Sequence, residues 1–346
     1  MPKPNPIDGF VVDPGDLQYV GEDLQRPECI LAEPDGSLWT ADARGGVVHI
    51  RPDGSQHFIA QRFDGHATED TFSTASDDAA RFTEGTLPNG LAFARNGDIL
   101  VSNFGTDRLE IMFRNGPSDV LHDTINGKPI GKVNFVLRDS RDRLWLTVST
   151  TVPNWMDALS PTIADGFVAM VDHMGLRIVA DGFAFTNEVR LDASEEWLYV
   201  VETTGQRITR LRVGEDGSLS KRETFGPESH NAFIDGIAFD DYGNLWGTHI
   251  MTDRVFAITP QGDLRIILDD DNESDEGKAL LAAFAENRMM PELQLAAAGT
   301  IAPWMASVTF GGPDLRNAYI GSLRGNTLPW FRSPVAGLPM VHWNEQ

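Results

Sequence analysis

The chain has a single cysteine, Cys29, so no intrachain disulfide can form and a reducing compartment is favoured. Basic residues are scarce. The 28 Lys and Arg against 51 Asp and Glu leave a formal charge of −23. A field of that sign repels phosphates, which argues against nucleic acid or an anionic membrane surface as a partner. No stretch approaches the roughly 18 apolar residues of a membrane span. The segment Met1–Asp8 carries three prolines and no apolar run, so no cleavable signal peptide is read there and a cytoplasmic location is expected. A Gly-rich phosphate cradle in a strand–turn–helix setting is missing, as is a Gly-x-Ser-x-Gly elbow.

What the chain has is a repeat. Its 33 glycines and 20 prolines are spread along 346 residues and punctuate short β-rich runs, which excludes a mainly helical protein. The runs at 27–50, 88–113, 133–149 (with a further strand at 166–172), 186–211 and 234–258 share one grammar, and 306–324 is a weaker sixth copy. A short apolar strand leads into a tight turn of the Asp-Gly or Asn-Gly kind, which tolerates positive φ. The second strand carries a large residue: Trp39, Ile99, Trp145, Trp197 with Tyr199, Trp246 or Tyr319. Units of strand, turn and strand that recur about every 50 residues predict an all-β, six-bladed β-propeller. A β-sandwich would not need the same motif six times. The expectation is one propeller domain over 1–346, interrupted by a polar loop at 62–85 and a helical insertion at about 273–300. In that insertion Ala279, Leu280, Leu281, Phe284 and Met289 can form an apolar stripe. It caps one end of the propeller as a lid, or packs against a partner subunit in a homo-oligomer. The tryptophans read as core at repeated blade positions, not as sugar platforms.

In a propeller the first strand of every blade lines the central channel, so equivalent positions converge on the axis. Those strands open on polar residues: Glu28, Asn89, Asn134, Asn187 and Asp235. Buried together, such groups are costly unless satisfied. A bound cation satisfies them at once, and an all-oxygen set of carboxylates and amides suits Ca²⁺ or another hard divalent ion. Asn89-Gly90 or Asp235-Gly236 alone would be an ordinary turn. Asn134-Phe135, Asn187-Glu188 and Glu28-Cys29 are not turn dipeptides, yet they keep the same register.

Over about residues 20–260 the chain resembles the senescence marker protein-30/gluconolactonase/luciferin-regenerating-enzyme family of calcium-dependent six-bladed propellers. Pro27-Glu28 is similar to that family's metal-binding glutamate. Asn187 in Thr-Asn-Glu-Val-Arg-Leu-Asp is similar to its asparagine ligand, and Asp235 in Ile-Asp-Gly-Ile-Ala-Phe-Asp to its aspartate ligand. Asn134 is similar to an asparagine near the metal that touches substrate or water, and diisopropylfluorophosphatase-like propellers suggest it as a fourth ligand. The resemblance implies Ca²⁺, with Zn²⁺, Mn²⁺ or Mg²⁺ as substitutes, and hydrolysis of a small cyclic ester such as a sugar lactone. It implies Asp235 as the base that activates water. Glu188 is an alternative base, although strand alternation would turn it outward. Candidate contacts to a small-molecule substrate are Asn89, Asn134, His249, His230 and Arg26, with Trp304 at the rim. Asn103 reads as a turn residue and Cys29 as an inert buried thiol.

The family's asparagine near the metal is usually followed by Asp, where this chain has Phe135. Its asparagine ligand is followed by Gly, where this chain has Glu188. Both departures leave other chemistry open on the same metal: a lyase, isomerase or glycoside-processing enzyme on a modified carbohydrate, or a phosphoester hydrolase. A binding propeller with structural calcium is the non-enzymatic alternative, since the fold alone does not decide function.

Overall fold

A hairpin needs its turn held, and here carboxylates hold it. In the third blade Asp139 accepts the backbone N–H groups of Arg141 and Arg143, and its other oxygen takes the Trp145 indole N–H at 2.9 Å. Asp240 does the same for Tyr242, Gly243, Asn244 and Trp246. Glu33 receives the Trp39 indole at 2.6 Å. These clamps bury the repeated tryptophans in the sheet faces, and Trp145 and Trp246 have no exposed surface. Trp39, Trp145 and Trp246 therefore serve as core.

The computed structural model describes residues 4–270 and 274–345. It contains six four-stranded antiparallel sheets arranged as the blades of a β-propeller. The innermost strands are Ile30–Ala32, Pro88–Phe93, Val133–Arg138, Thr186–Leu191, Phe233–Phe239 and Met305–Gly311. Each touches its neighbours and the sixth returns to the first, so the ring closes around a channel. Closure is made by the amino-terminal strand Gln18–Val20, which pairs antiparallel with Leu328–Arg332 and becomes the outer strand of the sixth blade. Joining the two ends of the chain in one sheet ties the first and sixth blades together by main-chain hydrogen bonds.

Antiparallel order fixes which connections share a face. The inner strands start on one face, so links between second and third strands, and from one blade to the next, lie there as well. All three long insertions are such links. The segment at 62–85, expected as a loop, forms a ribbon (Arg62–Phe63 with His66–Ala67) and two short helices, α1 (Thr71–Thr74) and α2 (Ala80–Thr83). The link after Val148 holds a 3₁₀ turn at Trp155–Ala158. The link into the sixth blade holds α3 (Asp275–Ala285) and α4 (Pro291–Ala296), within the segment expected to be helical; Glu273 lies outside the described residues. The buried side of α3 is Gly277, Leu280, Ala283 and Phe284, whereas Ala279, expected on that stripe, faces solvent.

The opposite face is crossed by the carboxy-terminal tail. Leu338 donates to Phe239 O at 2.9 Å, the His342 ring bonds Ala32 O at 2.8 Å, and Glu345 pairs with Arg138. The tail thus touches the far ends of three inner strands, and a cavity of about 400 Å³ lies beneath it, away from the polar strand starts. Among the described residues no helix is long and apolar enough to cross a membrane.

Candidate metal centre

The strand starts do not follow plain alternation. In the second blade Pro88 pairs with Asn103 and Leu91 with Val101, so the inner strand carries one residue more than its partner. The same excess lies between Val133 and Phe135, Thr186 and Val189, Ile234 and Ile237, and Met305 and Ser307. A bulge of this kind re-aims a side chain and frees the strand from its pleat. In five blades it falls at or beside the residue that opens the strand. In the first blade a tight turn from Glu28 N to Arg26 O, with Arg26 at φ 55°, does the same work.

The result is one cavity of about 40 Å³, with Arg26, Glu28, Asn89, Asn134, Asn187 and Asp235 in its wall. It has space for a few water-sized groups. All six side chains are buried. Arg26 Nη2 donates to Asn89 Oδ1 at 2.7 Å, and Asn89 Nδ2 donates to Asn134 O at 3.0 Å. Asn187 Nδ2 donates to Thr203 Oγ1 at 3.2 Å. Four oxygens are left over. Glu28 Oε2, Asn134 Oδ1, Asn187 Oδ1 and Asp235 Oδ1 are buried without a hydrogen-bond donor. Glu28 Oε2 is nonetheless ion-paired with Arg26 Nη2 at 2.9 Å, so the oxygens with neither a hydrogen bond nor an ion pair are those of Asn134, Asn187 and Asp235.

Unpartnered buried oxygens are rare because each costs its full desolvation. Three of them, with the Arg26-paired Glu28 carboxylate beside them, come from four blades around one cavity and have the oxygen chemistry that a hard cation takes. Among the described residues no group of three or more His, Cys, Asp or Glu could hold a metal. This centre has two carboxylates and relies on amides for its other oxygens. Its electrostatics agree with a cation. Burial pushes the Asp235 carboxyl well above its usual range, and the Glu28 and Glu188 carboxylates add to that; Arg26 and Asn187 offset it only in part. Burial raises Glu28 too, against Arg26 and Asn89. A divalent ion would reverse the sense of both shifts.

Glu188, Phe135, His230 and His249 do not line the cavity. The bulge keeps Glu188 buried, contrary to simple alternation. Its Oε2 accepts the Ile237 N–H at 3.1 Å and meets Arg190 Nη2 at 3.0 Å. Burial lifts it to about 7, with Arg190 and the Ile237 N–H opposing and Glu28 adding a little. Phe135 lies under the Arg190 guanidinium at 4.5 Å. His230 Nδ1 and His249 Nε2 are 3.0 Å apart, and the His249 ring stacks on Phe256 at 4.6 Å. Asn103 secures a turn through Leu87 N and Thr106 N. Cys29 Sγ accepts the Leu91 N–H at 3.2 Å, and burial raises the thiol.

Sequence reasoning offered the 273–300 insertion as a lid but named none of the apolar residues that line the cavity. Phe104, Trp155, Leu159, Phe185, Phe233 and Ile250 form most of the remaining wall, with Met251 and Leu323. They share one apolar cluster with Phe72 of α1, Phe82 of α2, and Leu280 and Phe284 of α3. The Phe284 ring sits 4.8 Å from Phe233, and the Trp155 indole donates to Phe82 O at 2.6 Å. Trp304, expected at the rim, is buried in that cluster against Phe82. The signal was three apolar-bearing insertions, but only the topology shows that they meet.

A family model described as the SMP-30/Gluconolactonase/LRE-like region matches residues 27–269, more than half of the chain. A curated relative, 6-deoxy-6-sulfogluconolactonase of Pseudomonas putida, is 24% identical over 152 residues, which is 43% of this chain and 42% of that protein. The match therefore spans less than half the length of that relative. Among solved structures, a gluconolactonase from Xanthomonas campestris superposes with a TM-score of 0.64 at 18% identity, covering 93% of this chain and 89% of its own. Regucalcin from Agrobacterium tumefaciens, a calcium-binding protein, superposes with a TM-score of 0.61 at 14% identity, covering 93% and 96%. At such identities the structures speak for the fold.

Proposed function

The chain belongs to the SMP-30/gluconolactonase/LRE-like family, and from that premise we propose that it is a calcium-dependent hydrolase of a small lactone. The observation that carries this reading is the set of three unpartnered buried oxygens, of Asn134, Asn187 and Asp235, that share one cavity with the Glu28 carboxylate. Glu28, Asn134, Asn187 and Asp235 would hold the ion. When bound, it supplies Lewis-acid polarisation of the carbonyl and stabilises the charge that develops there.

The chain's own residues do the rest. Asp235 takes the proton of the attacking water on its carboxylate, which must be ionised to do so. Arg26 is held by Asn89 and Pro88 O, while its Nε is buried without an acceptor. Its Nε–H is the hydrogen-bond donor available to the ring oxygen as the acyl C–O bond breaks, and the proton taken up by Asp235 passes to that oxygen, since a guanidinium keeps its own. Asn89 orients both Arg26 and the Asn134 backbone. Glu188 is tied to Arg190 and Ile237 and does not line the cavity, so it acts through charge on Asp235, and the base role stays with Asp235.

The test is acid release from γ- and δ-lactones by EDTA-treated protein with and without added Ca²⁺. Turnover that returns only with the metal, and is lost by at least about 1,000-fold in Asp235→Ala and Glu28→Ala, is the expected result. Full activity in both variants would remove the proposed centre.

A further inference from the structure

Resting on that hydrolase reading, we propose that the lactone this site turns over carries an apolar substituent, aliphatic or aromatic, and not a polyhydroxylated ring. The wall above the oxygen donors is Phe104, Trp155, Leu159, Phe185, Phe233 and Ile250. None of these offers a hydrogen bond to a sugar hydroxyl. The Trp155 indole N–H is already given to Phe82 O. Of the nearby polar groups, Arg26 Nε is the donor left free, and the reaction assigns it to the ring oxygen; Thr203 and Asn89 are engaged. Thr203 Oγ1 donates to Ile234 O at 2.7 Å and accepts from Asn187, and Asn89 uses both ends of its amide. A hydroxyl brought against this wall loses its water and gains no partner, a penalty on the order of tenfold for each.

Room makes the same point. A cavity of about 40 Å³ accepts a few waters and no lactone. A lactone entering it displaces side chains of the apolar cluster around its mouth. The rings that separate are those packed now: Phe284 on Phe233 at 4.8 Å, and Trp155 against Phe104 at 5.9 Å and Phe185 at 6.2 Å. Opening exposes these faces to water. An apolar substituent covers them again, whereas a ring of hydroxyls does not. Only a ligand that interacts differently with the open and closed states can shift the balance between them.

The experiment measures kcat/KM of the full, Ca²⁺-loaded chain on δ-valerolactone, δ-octalactone, δ-decalactone and glucono-δ-lactone. The expected result is a rise of roughly threefold to fourfold per added methylene until the wall is filled. Glucono-δ-lactone should fall below δ-valerolactone by about tenfold or more. Turnover in which glucono-δ-lactone exceeds δ-valerolactone, or in which chain length has no effect, overturns the inference and leaves the hydrolase reading standing. No turnover of any of the four, together with none of the γ-lactones of the first screen, overturns the hydrolase reading and this inference with it; turnover of γ-lactones alone that does not rise with substituent length overturns only this inference. In Trp155→Gln the preference for δ-decalactone over δ-valerolactone should shrink by about tenfold. An unchanged ratio in a folded variant would remove this wall as its cause.

Discussion

Asn187 and Glu188 are chain neighbours with different surroundings. Asn187 lines the cavity, while Glu188 is fixed to Arg190 and Ile237. Both are buried because one extra residue interrupts the pleat, and that extra residue cannot be read from composition. The strand-opening residues were legible because the same residue types recur in register across blades. The environment of His230 and His249 was not legible: His249 is near Asp235 in sequence, yet its ring stacks on Phe256. Burial lowers His230 to about 4 and holds His249 well below its usual range, with His230 and Arg254 adding to the effect on His249. A histidine kept neutral by the fold stabilises it above its unfolded value of about 6.5, and that stability is lost as the pH falls toward 4. For His230 the loss is roughly 3 kcal/mol. Asp253, raised by burial to about 6, works in the opposite sense, so the wild type must be compared with a variant. The melting temperature of the wild type should fall relative to His230→Asn/His249→Phe by several degrees between pH 7.5 and 5. Parallel pH curves for the two proteins would show that the pair carries no such load.

At the scale of elements, the bulged strands press on their neighbours, and glycine makes that approach feasible. A Cβ at Gly236 would stand 2.4 Å from Ala306 O and 2.6 Å from Ser307 Cα. Both are backbone atoms and cannot step aside. Gly236→Ala is expected to cost about 1–3 kcal/mol in urea unfolding and to weaken Ca²⁺ binding by moving Asp235. Unaltered stability would mean that the fifth and sixth blades can separate freely. Asn89-Gly90 and Asp235-Gly236 look like turn dipeptides in sequence, but here their glycines mark contacts between blades. The insertions show another limit of the sequence. The stripe on α3 signalled a helix with one buried side, but what it covers depends on α1, α2 and Trp155, all distant in the chain. Phe284→Ala on α3 should loosen this roof and raise exchange of the Phe233 backbone amide with solvent. Unchanged protection there would separate α3 from the cavity.

For the whole molecule, six repeats make a closed ring only when the two ends of the chain share a blade. The sixth blade takes its outer strand, Gln18–Val20, from the other end of the chain. Removing residues 4–21 should lower the melting temperature steeply, since the closing strand is lost together with the buried Ile7, Val12 and Leu17. A truncated chain that melts as the full one does would show that closure is not needed. The ring also fixes the chemistry, because donors from four blades meet only if the ring is intact.

The claim that those donors hold one cation is tested most directly by calorimetric titration of Ca²⁺ into EDTA-treated protein, wild type beside Asp235→Asn. One saturable site per chain in the wild type, lost or weakened at least tenfold in the variant, is the expected result. Absence of binding to the wild type, or equal binding to both, would contradict it.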